Sequence, residues 1–326
     1  MAEPILQLKN LKTYFHTDQG IVRAVDGISL SIHERETLGI VGESGSGKSV
    51  TALSILRLID PPGKILDGEI LFQGLNLLTR SRNEMRQIRG DKISMIFQEP
   101  MASLNPLFRI SHQIEEALRL HRRVSSREAR EKAMELLRLV GIPSPEKRAR
   151  DFPHQLSGGM QQRVMIAMAL ACNPAVLIAD EPTTALDVTI QAQILHLVDR
   201  LKKEIGTAVL FITHDLGVIS KIAQNVAVMY AGKIVEFSNV FDLFEAPSHP
   251  YTRALLESIP TGSKGKGGKR RLNAIPGTVP NLVELPPGCS FAPRCLDRMP
   301  LCEREDPPDI EIKPGQRVRC WKYHHA

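Results

Sequence analysis

Residues 42–49 read Gly-Glu-Ser-Gly-Ser-Gly-Lys-Ser, the G-x-x-x-x-G-K-S spacing of a phosphate-binding loop. Its flanks constrain the fold more tightly than the loop does. Residues 37–41 form an apolar run short enough to be a buried strand. Residues 50–59 place Val50, Leu53, Leu56 and Leu58 at a helical spacing. Gly42, Gly45 and Gly47 let the backbone curl until successive N–H groups face one phosphate chain. The following helix offers its positive end to the same anion. Ser44, Gly45, Ser46 and Gly47 are the expected cradle. Lys48 is placed to reach the β- and γ-phosphates, and Ser49 to put its hydroxyl on Mg²⁺.

At 326 residues the chain has room for one large domain and a smaller appendage. Its 42% hydrophobic and 24% charged residues are those of an ordinary globular protein. No apolar run approaches a membrane span, and no secretion signal is visible at residues 1–4, so a cytosolic location is expected. The net charge of +6 admits nucleic acid, anionic membrane or nucleotide phosphate as partners. The densest basic block, Lys264, Lys266, Lys269, Arg270 and Arg271, is interleaved with glycine and holds no aromatic residue for base stacking. It reads as a solvated linker within residues 260–280, and no nucleic-acid partner is expected.

Residues 1–36 read as short strands around a polar turn at 17–20, with another strand at 67–72. Residues 100–150 change character: 114–120 and 128–140 are amphipathic helices, the second ended by Gly141 and Pro143. From residue 175 the chain alternates strand 176–179, helix 188–205 and strand 208–213, with Asp187 and Gly206 as the helix caps. Such alternation implies a mainly parallel sheet covered on both faces. Residues 226–230 and 233–237 read as a hairpin.

Strand 176–179 ends in Asp180-Glu181. Asp180 is placed to hold Mg²⁺ through water, and Glu181 to polarise the water that attacks the γ-phosphate. Leu156-Ser157-Gly158-Gly159-Met160-Gln161-Gln162-Arg163 opens a second apolar helix with bare N–H groups, a second anion site. One ATP has one γ-phosphate, so two such sites suggest two chains sharing each nucleotide.

That segment resembles the signature motif of ATP-binding cassette (ABC) proteins. The order of elements agrees: phosphate loop, Gln98, signature, Asp180-Glu181, Ala185-Leu186-Asp187, His214. The resemblance covers roughly residues 3–260. It implies an α/β fold with a mainly parallel core sheet, an antiparallel N-terminal β subdomain and a helical subdomain at about 100–165. A small cysteine-rich C-terminal extension would follow. The cassette would be residues 1–260, with linker and extension at 261–326. It implies that Gln98 touches Mg²⁺ and the attacking water, that His214 contacts the γ-phosphate, and that Asp187 couples two sites across a dimer. Ser157 and Gly159 would bind the partner's ATP. Tyr14 is the candidate for stacking on adenine, with Phe15 as rival.

Residues 98–106, Gln-Glu-Pro-Met-Ala-Ser-Leu-Asn-Pro, are similar to a segment of dipeptide and oligopeptide importers, and so are residues 249–256 and 288–295. The pattern resembles the D-type ATPase subunits of dipeptide importers, which implies ATP-driven peptide import. The partners would be two transmembrane permeases, a second homologous ATPase and, indirectly, an external solute-binding protein. The place would be the cytoplasmic face of the cell membrane. A nickel or other small-solute importer subunit remains an alternative, as does a soluble non-transport ABC ATPase.

Four of the five cysteines, Cys289, Cys295, Cys302 and Cys320, fall in the last 38 positions, whereas Cys172 stands alone in an apolar helix as a core residue. Structural zinc usually uses closer pairs, four thiolates also suit a [4Fe–4S] cluster, and spacing alone does not decide. The family resemblance implies the cluster, with zinc as alternative. His324 and His325 are not expected to be ligands.

Overall fold

The computed structural model describes residues 3–98, 103–184, 187–259 and 275–324. Its strands in chain order are β1 (Leu6–Thr17), β2 (Gly20–Ile32), β3 (Thr37–Val41), β4 (Gly63–Phe72), β5 (Leu75–Asn76) and β6 (Ile93–Ile96), then β7 (Val176–Asp180), β8 (Ala208–Thr213), β9 (Asn225–Tyr230), β10 (Lys233–Asn239), β11 (Ile310–Lys313) and β12 (Gln316–Val318). The basic block, Ala185-Leu186, residues 99–102 and His325 lie outside the described residues.

The chain divides into two compact units. One comprises residues 7–30, 38–70 and 213–326. It holds β1 and β2, joined by a two-residue turn and therefore antiparallel, with β4 on the other side of β1. The short strands expected here are single strands of 12 and 13 residues. Asn10 explains the difference: its left-handed φ of 48° kinks β1 without ending it, and its N–H is taken by Ser29 Oγ at 2.9 Å.

In the same unit β3 pairs in parallel with β9, Leu38 opposite Asn225 through Val41 opposite Val228. Every residue of β3 is buried, as befits an apolar strand covered on both faces. The expected hairpin is present, β9 turning into antiparallel β10 through Ala231-Gly232, both at positive φ. The C-terminal segment returns to this sheet: β12 lies antiparallel to β10 and β11 to β12. The helix after the loop spans Lys48–Ile55, ending short of the expected 59 because Arg57 adopts φ 52°.

The other unit comprises residues 1–6, 31–37 and 71–212. Strands β6, β7 and β8 are parallel, and β7, between the other two, is buried throughout. The helices Ile110–His121 and Ser126–Leu139 supply the expected helical subdomain, the first starting earlier than its apolar pattern indicated. Ser125 and Glu128 close a capping box on the second helix, and Ala129, Ala133 and Leu137 form its buried stripe. Helix Gly158–Leu170 is buried around most of its circumference. Among the described residues no helix is long and apolar enough to cross a membrane.

Candidate active site

β3 ends at Val41 and the chain enters the phosphate loop. Two of its glycines are compulsory. A Cβ on Gly42 would overlap the Met229 carbonyl oxygen, and one on Gly47, at φ 103°, would overlap that of Ala24. Gly45 faces open space, as a position that approaches a ligand must. Gly47 caps the helix Lys48–Ile55, whose first N–H groups therefore start inside the loop. Lys48 is buried at 4% exposure. Its Nζ donates to the carbonyls of Gly42 at 2.8 Å and Glu43 at 2.9 Å, so the ammonium is folded over the loop it serves. Ser46 is buried, Ser44 exposed and Ser49 half-buried at the helix start.

In the same unit as the loop, His214 is exposed. Asp215 anchors the segment: its N–H donates to Thr213 Oγ1 at 3.1 Å, and its Oδ1 accepts from Gly217 N–H at 2.7 Å, capping the helix Leu216–Ile222. Tyr14 on β1 is half-buried, and its hydroxyl donates to Asp26 Oδ1 at 2.6 Å. Burial, reinforced by that bond to a carboxylate, pushes the phenol up to about 12.

The carboxylates belong to the other unit. Asp180, 3% exposed, ends β7, and Glu181 follows in a left-handed conformation at φ 45°. Such a backbone costs about 1–3 kcal/mol in a non-glycine residue and clusters where function requires a side chain to be aimed. The Glu181 N–H donates to the Ile212 carbonyl at 2.9 Å, and its Oε2 accepts from Thr184 Oγ1 at 2.8 Å and from Gln98 Nε2 at 3.3 Å. Gln98 and Glu181, 83 positions apart in the sequence, are thus joined by a hydrogen bond. No motif marks Thr184, although a hydroxyl three residues after a carboxylate is a legible turn partner.

Ser157 precedes the helix Gly158–Leu170 with its hydroxyl unused as a cap, and Ser157 and Gly158 are exposed. The N–H groups of this helix start are therefore open to a ligand. Gly159 lies against Ile190, where a Cβ would come to 3.0 Å. Asp187 and Gly206 are the caps of the helix Val188–Ile205, as expected; the exposed Asp187 side chain makes no cap hydrogen bond, and Gly206 closes the far end at φ 80°.

Cys289, Cys295, Cys302 and Cys320 are free thiols around one cavity, with Phe291 and Trp321 in its wall. Burial pushes Cys289 up to about 12 and raises Cys295 and Cys320, and neighbouring cysteines of the set add to each rise. Thiolates crowded in an apolar pocket need a compensating cation. Among the described residues no three His, Cys, Asp or Glu side chains stand where they could hold a single metal ion. Cys172 is buried in the other unit, as expected, but in the turn after the helix Gly158–Leu170 rather than within a helix.

Residues 25–184 match the family model described as ABC transporter, and residues 235–302 match the oligopeptide/dipeptide transporter C-terminal region. A probable peptide ABC transporter ATP-binding protein of Sinorhizobium fredii is 54% identical over 98% of this chain and 96% of its own length. The oligopeptide transport ATP-binding protein OppD of Bacillus subtilis is 52% identical over 98% of this chain and 89% of its own. Among solved structures, a dimeric post-hydrolysis ATP-binding cassette bound to ADP and Pi is 33% identical with a TM-score of 0.66, covering 72% of this chain and 98% of that one. The chain belongs to the ATP-binding cassette family, in the branch of peptide transport ATP-binding proteins. It is an ABC-type ATPase that uses ATP and Mg²⁺.

Proposed function

We propose that this chain is the ATP-hydrolysing subunit of a di- or oligopeptide importer and works at the cytoplasmic face of the membrane. The observation that carries the hydrolytic role is the strained Glu181, its carboxylate held by Gln98 and Thr184. In this reading the loop N–H groups and Lys48 hold the phosphates, and Ser49, Gln98 and Asp180 hold Mg²⁺. Glu181 orients the attacking water, and His214 contacts the γ-phosphate. Tyr14 stacks on adenine. Ser157 and Gly159 bind the nucleotide held by a second, homologous ATPase, and Asp187 couples the two sites. ATP closes the pair and hydrolysis reopens it, resetting two permeases between outward- and inward-facing states. Leu107 and Leu120, 79% and 72% exposed at the edge of the helical subdomain, support that region as the permease-docking face. Peptide as cargo is supported by the C-terminal match and by the named activities of the relatives.

The thiols support a further reading. Cys289, Cys295, Cys302 and Cys320 line one cavity, and we assign them to a [4Fe–4S] cluster, with a zinc ion as the alternative. When bound, the cluster would supply the positive charge that thiolates in this pocket require.

The test is Glu181→Gln in the assembled transporter. ATP binding is expected to persist while turnover falls about 10²–10⁴-fold, roughly 3–5 kcal/mol of barrier, with uptake of labelled dipeptide falling alongside. Unchanged turnover would remove Glu181 from the chemistry, and uptake of nickel but no peptide would overturn the cargo.

A further inference from the structure

The segment that carries the cysteines also grips the phosphate loop. Arg294 stands next to Cys295 and is 7% exposed. Its Nη1 donates to Glu43 Oε2 at 2.7 Å and its Nη2 to Glu43 Oε1 at 3.1 Å, a bidentate fork onto the second residue of the loop. The rest of the guanidinium is also held. Nε donates to the Pro276 carbonyl at 2.9 Å and Nη1 to Tyr230 Oη at 3.3 Å, and the group lies over the Tyr230 and Phe291 rings at 5.8 and 6.0 Å.

Glu43 is gripped at its backbone as well. Its N–H donates to Tyr251 Oη at 2.9 Å, and Tyr251 is fully buried against Tyr230 and Phe291. On its other side the Glu43 carbonyl accepts from Lys48 Nζ at 2.9 Å. A continuous chain of contacts therefore runs from Arg294 through Glu43 to the lysine of the loop. Phosphate is bound by backbone N–H groups and Lys48, so any residue at position 43 would satisfy the motif. The carboxylate is turned instead to the arginine. A loop whose N–H groups must converge on one anion binds more tightly when its backbone is fixed beforehand.

We infer that Arg294 is a positioning residue for ATP, holding the phosphate loop in its binding shape through Glu43, so that the C-terminal extension sets the nucleotide affinity of the cassette. The inference rests on the phosphate-loop reading above.

Direct MgATP binding would be measured on the full chain for Arg294→Gln, Arg294→Lys, Glu43→Gln, the Glu43→Gln/Arg294→Gln double variant and Lys48→Ala, with near-ultraviolet circular dichroism to confirm native packing. Arg294→Gln and Glu43→Gln are each expected to weaken binding about tenfold, with the double variant no weaker than either single one, the mark of two residues acting as a unit. Arg294→Lys should recover only part, since a point charge cannot fork. In turnover, KM should rise more than kcat falls, a split that general destabilisation does not produce. If Glu43→Gln, which leaves the extension untouched, binds MgATP as the parent does while Lys48→Ala does not, the inference is overturned and the loop reading stands. Losses that multiply in the double variant overturn it as well. Undiminished binding by Lys48→Ala would overturn the loop reading itself.

Discussion

Gly47 shows how narrowly one residue can be specified. Its φ of 103° and the Ala24 carbonyl beside it leave no place for a methyl group. Gly47→Ala is expected to destabilise the chain by about 1–3 kcal/mol, read from denaturant unfolding, and to weaken MgATP binding. Gly45→Ala meets only left-handed strain, its Cβ pointing into open space, and should cost less stability. The loop glycines, Lys48, Asp180 and Glu181 were legible in the sequence because each lies within a short local pattern whose geometry follows from neighbouring residues. Arg294 and Tyr251 were not. They stand 251 and 208 positions from Glu43, and only folding brings them to it. The left-handed backbone of Glu181 had no sequence signal either, because residues other than glycine adopt it under tertiary constraint.

Among the elements, the helix Pro250–Glu257 tests how burial sets charge. Its cap is His249, whose Nδ1 accepts the Tyr251 N–H at 3.0 Å. The ring is 1% exposed, and burial pushes its pKa down to about 3. A histidine depressed from 6.5 to about 3 contributes stability that is present above the unfolded value and lost as pH falls toward the folded one. His249→Asn keeps an acceptor at the cap but does not titrate. Relative to that variant, the parent should lose about 2 kcal/mol of unfolding free energy between pH 7 and pH 5. A parallel pH dependence in the two chains would refute this. Glu236, whose carboxylate accepts the His249 N–H at 2.8 Å, is raised by burial and pulls the opposite way, but equally in both chains. Element types were mostly legible from apolar period, β3 and the helix Val188–Ile205 to the residue. Lengths failed where one backbone angle decided them, at Asn10 and Arg57.

At the scale of the molecule, the C-terminal residues pack on the sheet through β12 and around the cysteine cavity. Proline-rich segments that bury little apolar surface gain most from a bound metal group. Anaerobically purified protein should hold about four iron and four sulfide per chain, and Cys295→Ser should lose both and unfold at lower temperature. One zinc without sulfide would replace the cluster assignment. The cassette order was legible because its motifs are sparse and ordered; the return of residues 316–318 to β10 was not, since a three-residue strand carries too little pattern to be recognised.

The pairing of β3 with β9 also fixes a schedule. The two strands lie side by side, yet roughly 185 residues separate them along the chain. On a ribosome adding roughly 5–20 residues per second, β3 waits about ten to forty seconds for its neighbour. During that wait the glycine loop has neither its flanking strand nor the Met229 carbonyl that Gly42 packs against. Nucleotide therefore cannot guide the first half of synthesis. The nascent β3, mainly apolar, lacks its β9 partner until residue 230 has emerged.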